Sequence, residues 1–315
     1  MEKVKLPVVR DLGQTIGDPF LFTKQNINLI FKCTVYFIGP LLLLAIALSA
    51  FGISSLSSIS ANKFTPGQHY TPFRNFTASL LCIYALFSLI GILQQVYITE
   101  LMILAEHQSE VTLTEIWTAI KRDWKTIAVT YLTIIPVGII IVLLAVLSFL
   151  AVEALGTALG GFIFLVFYLG LIYAIIPLSN LLFIRLRERK GIIETFVQAF
   201  KITRGNWWKT FIGLFVTLLV IYSLVIVAAI PMYIQLVITI MHGVKGANPF
   251  AGTEMGIYMT LISCWTFVVY NVMNVFIGTS YYSLSEKHDH LHLREEISKI
   301  GEREDSAVRK QEGYY

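Results

Sequence analysis

Six stretches of this chain contain no Asp, Glu, Lys or Arg: residues 33–62, 75–99, 126–152, 154–184, 210–244 and 255–285. Each has a core rich in Leu, Ile, Val, Phe and Ala. A helix needs about 20 predominantly apolar residues to cross a bilayer, and every stretch is long enough. The expected fold is therefore an all-α, polytopic membrane protein with six transmembrane helices. Hydrophobic residues make up 56% of the chain and charged residues 14%, against about 25% charged in an ordinary soluble domain. Six spans and their connections consume most of the 315 residues, which leaves no room for a soluble catalytic domain of usual size. One membrane domain is expected over 1–286, with a charged tail over 287–315.

The lysines and arginines give the orientation. One side collects the N-terminus, the 100–125 and 185–209 connections and the tail, with 20 basic residues; the other holds only Lys63, Arg74 and Lys245. The positive-inside rule places the richer side, and so both termini, in the cytoplasm. The opposite connections, 62–69, 156–160 and 246–252, read as polar turns. The first 26 residues contain Lys3, Lys5, Arg10, Asp11, Asp18 and Lys24 and no continuous apolar run, so no cleavable signal peptide is expected. The net charge of +4 sits in short segments beside helices and gives no sign of a nucleic-acid partner.

The chain also carries an internal likeness. Residues 15–31 and 195–211 align without a gap, pairing Thr15 with Thr195, Phe20 with Phe200, Thr23 with Thr203, Lys24 with Arg204, Asn26 with Asn206 and Phe31 with Phe211. A weaker copy starts at Thr114, where Ala119 and Lys121 meet Ala199 and Lys201. The implied plan is three parallel units, about 8–104, 111–186 and 190–285, each an interfacial helix followed by a transmembrane hairpin. Surface helices are expected near 12–25, 112–123 and 191–204. In the third, Ile192, Ile193, Phe196, Val197, Phe200 and Ile202 fall mostly at helical spacing, as suits the headgroup boundary. Arg204-Gly205-Asn206 should end it, and Trp207, Trp208 and Lys209 should anchor the next span at headgroup depth.

Functional pointers are few. The run Arg185, Arg187, Arg189 and Lys190, with Lys201, Arg204, Trp207 and Trp208, reads either as an anionic-lipid headgroup site or as a topology signal alone. Amides at Asn180, Gln235 and Asn271 offer a polar intramembrane pathway, or simply hydrogen bonds between helices. Pro40, Pro136, Pro177 and Pro231 suit kinks. His288, His290 and His292 suggest metal, but nothing completes a coordination shell, and no metal site is assigned. Cys33, Cys82 and Cys264 read as small hydrophobes. No catalytic motif, cofactor fingerprint or phosphate loop is present in the sequence, so no enzyme activity and no cofactor are expected.

The segment 194–211, ETFVQAFKITRGNWWKTF, resembles the membrane domain joined to some glycerophosphodiester phosphodiesterases. It is also similar to uncharacterised multi-pass membrane proteins common in Bacteroidota, as are Arg10–Gly17, Phe22–Asn26 and Tyr281–Lys287. The resemblance implies a bacterial inner-membrane protein. The phosphodiesterase activity belongs to a separate soluble domain that this sequence lacks, so it is not carried over. The expected function is a non-catalytic scaffold or anionic-lipid-interacting component, with lipids, protein partners or a second copy as its company. The alternative is a transporter with a polar pathway.

Overall fold

The computed structural model describes residues 3–48, 70–108, 110–241 and 253–289. The connections at 62–69 and 246–252, His290, His292 and the tail beyond 289 lie outside the described residues. Regular structure among the described residues is helical. Six helices are long and apolar enough to cross a membrane. In chain order the elements are α1 (Leu12–Gln25), α2 (Ile27–Leu48), α3 (Tyr70–His107), α4 (Leu113–Leu150), α5 (Gly156–Glu188), α6 (Ile192–Thr203), α7 (Trp207–Met241) and α8 (Thr253–Asp289). The spans are α2, α3, α4, α5, α7 and α8.

The surface explains the solvent. Leu81, Leu132, Ile139, Val142, Leu147, Phe162, Val227 and Ile240 are exposed, whereas Arg10, Glu100, Asp123 and Glu286 are buried. Water would penalise that arrangement heavily; hydrocarbon favours it. The protein is an integral membrane protein.

Local chemistry sets the helix ends. Asp11 caps α1: its carboxylate accepts from Gln14 N at 2.7 Å, and Gln14 accepts from Asp11 N at 3.1 Å. Thr112 and Glu115 make the same reciprocal pair at the start of α4, and Glu194 accepts from Gly191 N at the start of α6. Such boxes satisfy N–H groups that a helix start leaves free. Counted from each cap, the fourth and eleventh residues are buried in all three helices: Thr15 and Phe22, Ile116 and Asp123, Thr195 and Ile202.

Expectation and structure differ in three places. The segment 112–123 is not a separate helix; it runs straight into the third span as the first turns of α4. The turn between α4 and α5 falls on Gly156, at φ 80° and ψ 165°, a backbone region that glycine tolerates, while Gly160 and Gly161 are helical. Finally, α6 splits its apolar residues. Ile202 and Ala199 are buried with Thr195, Gln198 and Thr203, while Ile193 and Val197 face outward. A helix between a polar bundle end and lipid has two partners, so its apolar residues need not gather on one face.

The proline expectations resolve individually. Pro136 and Pro231 lie inside continuous helices, whereas Pro177 lies in the last turn before a break at Asn180, whose N–H donates to the Pro177 carbonyl at 3.2 Å. Upstream of Pro40 the α2 ladder widens to a π-turn over Thr34–Ile38, which relieves the crowding of a proline ring against the carbonyl four residues back. Gly205 ends the α6 turn at φ 83°, as the Arg204-Gly205-Asn206 break predicts.

The main core lies toward the basic end. It joins Phe22, Ile30, Cys33, Ile90, Tyr97, Leu101, Met102, Ile116, Phe183, Ile184, Ile202, Val275, Tyr281 and Tyr282. Here α8 packs against α1, α3 and α7. Beyond this level α4 and α5 expose apolar side chains on most faces.

Candidate functional site at the basic end of the bundle

Charged groups collect where α3, α4, α5 and α8 meet. Arg187 reaches Glu106 with two parallel bonds, Nε to Oε2 at 3.0 Å and Nη2 to Oε1 at 2.7 Å. This bidentate fork is the strong geometry for such a pair. The guanidinium also lies 4.6 Å from the Tyr282 ring centroid, and a cation over an aromatic face gains further attraction. Tyr282 donates to Glu106 Oε2 at 2.8 Å, and Tyr281 donates to Glu188 Oε1 at 2.8 Å. Lys190 closes on Glu188 at 2.6 Å. Asp123, buried, is held by Arg189 at 3.0 Å and Arg122 at 2.9 Å.

The eight residues of the expected headgroup site therefore play different parts. Arg187 is committed inward to Glu106. Arg189 and Lys190 keep an acid each and still face outward in part. Lys201 and Arg204 are exposed on and just after α6. Trp207 stacks on Phe211 and Tyr173 and donates to the Tyr173 carbonyl at 3.0 Å. Trp208 is 70% exposed and faces outward.

Arg185 stands apart. Its Nη1 donates to the Lys190 carbonyl at 2.7 Å, but its buried Nε has no hydrogen-bond partner. Arg185, Leu186, Arg189, Lys190 and Thr126 line a cavity of about 240 Å³. Three cations and a hydroxyl around one space are a donor set suited to an anion. Of the nearby acids, Asp123 and Glu188 are engaged, whereas buried Glu100 on α3 keeps an Oε1 without a partner.

The N-terminal segment pins the same end. Arg10, 2% exposed, donates to Asp18 at 2.8 Å and to the carbonyls of Lys5, Leu6, Val8 and Thr279. Its own N–H donates to Ser283 Oγ at 3.0 Å. Burial draws the Arg10 pKa below its ordinary value, and Asp18 opposes that fall. Lys209 donates to the Arg10 carbonyl, and Lys287 to Asn206.

The three amides of the expected pathway sit in separate surroundings. Asn271 belongs to a closed ring: Tyr97 donates to its Oδ1, its Nδ2 donates to Thr34 Oγ1 at 3.1 Å, and Thr34 Oγ1 lies 2.9 Å from Tyr97 Oη. Asn180 sits at the junction within α5, donating to the Ile176 carbonyl at 3.1 Å with its buried Oδ1 unpartnered. Gln235 is half-buried in α7, past Pro231. Sequence reasoning named Arg187 but not the acid and tyrosines that hold it. The only prior signals for Asp123, Tyr281 and Tyr282 were a lone acid inside a basic run and an adjacent tyrosine pair.

Among the described residues no group of His, Cys, Asp and Glu is arranged to hold a metal. No family model matches the chain, and no curated protein or solved structure does so.

Proposed function

We propose that the protein is a non-catalytic component of the bacterial inner membrane that binds anionic lipid headgroups at its basic end. The observation that carries this reading is the convergence of Arg185, Arg189 and Lys190, with Thr126, on one cavity of about 240 Å³. A phosphate oxygen matches the planar donor set of a guanidinium, and Thr126 adds a hydroxyl. Exposed Trp208, Ile193 and Val197 beside the cavity support a position at the depth where headgroups meet acyl chains.

The test replaces Arg185 and Arg189 with Gln. Each charge near a membrane surface is worth about 1 kcal/mol, so losing two predicts roughly 30-fold weaker binding of phosphatidylglycerol or cardiolipin. Native mass spectrometry of the purified protein reads the bound lipid. Lys201→Gln with Arg204→Gln removes the same charge from outside the cavity and should matter far less. Equal retention by all variants leaves these charges to orientation alone.

On this reading both termini are cytoplasmic and the three units are parallel repeats. The basic asymmetry supports the first point. The matched starts of α1 and α6, where Thr15 and Thr195 each lie buried four residues after the cap, support the second. With the native cysteines replaced by alanine, Thr157→Cys should react with an impermeant maleimide on intact spheroplasts, and Lys201→Cys only after lysis. The reverse pattern defeats the orientation. An experimental structure in which Thr15 and Thr195 fail to superpose within their units defeats the repeat.

A further inference from the structure

A small cavity lies where α1, the start of α7 and the end of α8 converge, apart from the cavity of Arg185. Thr15, Asn206, Lys209, Thr210, Ser283 and Lys287 line it, and no Asp or Glu does. Its volume is about 10 Å³, room for one atom of the size of a water molecule. Two lysines share this space. The Lys209 ammonium donates to the Arg10 carbonyl, and the Lys287 ammonium to Asn206 Oδ1 at 2.7 Å. An ammonium has three hydrogens, so each keeps two beyond these bonds. The two charges are near enough to repel, and Asp11 is the acid that acts on Lys209. Asp11 does not line the cavity, and its Oδ1 is taken by the Gln14 N–H. Among the described residues neither lysine is in an ion pair.

We infer that this cavity binds a small monovalent anion, of the kind of chloride, between Lys209 and Lys287. Charge gives the sign, because an anion between two crowded ammonium groups turns repulsion into attraction. Ser283 adds a neutral donor: its Oγ accepts the Arg10 N–H at 3.0 Å and keeps its own hydrogen to give. Size gives the class. A space for one atom rejects a whole phosphate group, whereas Lys287, exposed and on a flexible stem, can draw back to admit a halide. The bound anion braces a junction. Lys209 holds the N-terminal segment through Arg10, Thr15 belongs to α1 and Lys287 to α8, so one ion ties three parts of the chain together. The site shares no residue with the headgroup cavity and does not rest on that reading.

Thermal unfolding of the purified full-length protein tests the site, with chloride exchanged for gluconate at constant ionic strength. General screening is then equal, and gluconate is too large for the cavity. Chloride in roughly tenfold excess over its Kd should raise the wild-type melting temperature by about 2–3 °C, and the rise should saturate. Lys287→Gln should weaken chloride about tenfold or more, and Lys209→Gln should do the same. Lys287→Gln decides alone if loss of the Arg10 contact unfolds the Lys209 variant. Arg185→Gln with Arg189→Gln, in the headgroup cavity, should keep the full chloride effect. A wild type that melts alike in chloride and gluconate overturns the inference and leaves the cavity to water. A chloride effect that survives Lys287→Gln, or that vanishes with the arginine pair, overturns it equally, because the anion then sits elsewhere.

Discussion

Arg187→Gln should cost the folded protein about 3–5 kcal/mol, the range found when one partner of a buried ion pair is removed. Arg187 and Glu106 are 17% and 11% exposed, so solvent screens them little. Removing the guanidinium strands Glu106 with only Tyr282 as a donor and leaves Tyr281 and Tyr282 without the cation that lies over their rings. Thermal unfolding of the detergent-purified protein should show a large fall in melting temperature. Arg122→Gln is the control. Arg122 is 59% exposed and shares Asp123 with Arg189, so its loss should stay within about 1 kcal/mol. The double variant Glu106→Gln with Arg187→Gln should recover part of the loss, because no buried charge is then left alone. Equal melting of the Arg187 and Arg122 variants would reject a structural role for the fork.

Hydropathy made the spans legible because lipid is a uniform solvent and apolar length is all that crossing it requires. The break at Gly205 was legible for a similar reason: local backbone chemistry decides it. The charged end was only half legible. A run such as Arg185–Lys190 shows where positive charge lies, but not which cation turns inward. That depends on Glu106, some 80 residues earlier, arriving at the same level on another helix. The same limit hid the Tyr97–Asn271–Thr34 ring, whose members come from three separate spans.

Close helix approach was invisible in sequence, and Gly278 marks the tightest case. A Cβ built there would collide with Met102 Sδ and would lie 2.6 Å from Phe183 Cζ. Thus α8 meets α3 and α5 at a point where only a hydrogen fits. Small residues at such points let helices in a membrane pack closely, which matters because lipid gives apolar side chains no reason to leave it. The same three helices carry the Glu106–Arg187–Tyr281 network one turn further along, so a shift at Gly278 should propagate into it. Gly278→Ala should destabilise by about 1–3 kcal/mol, the usual cost of overpacking, and Gly278→Val by more. Gly161→Ala, where an added Cβ meets nothing within 4 Å, should be neutral or mildly stabilising, since alanine favours helix over glycine. The flexible thioether gives way more easily than the Phe183 ring, so Met102→Ala should rescue Gly278→Ala in part but not Gly278→Val. Melting temperatures of the five variants decide the matter. A Gly278→Ala protein as stable as Gly161→Ala would mean that α8 can move off α3 and α5 without loss, and the close packing would then hold nothing together.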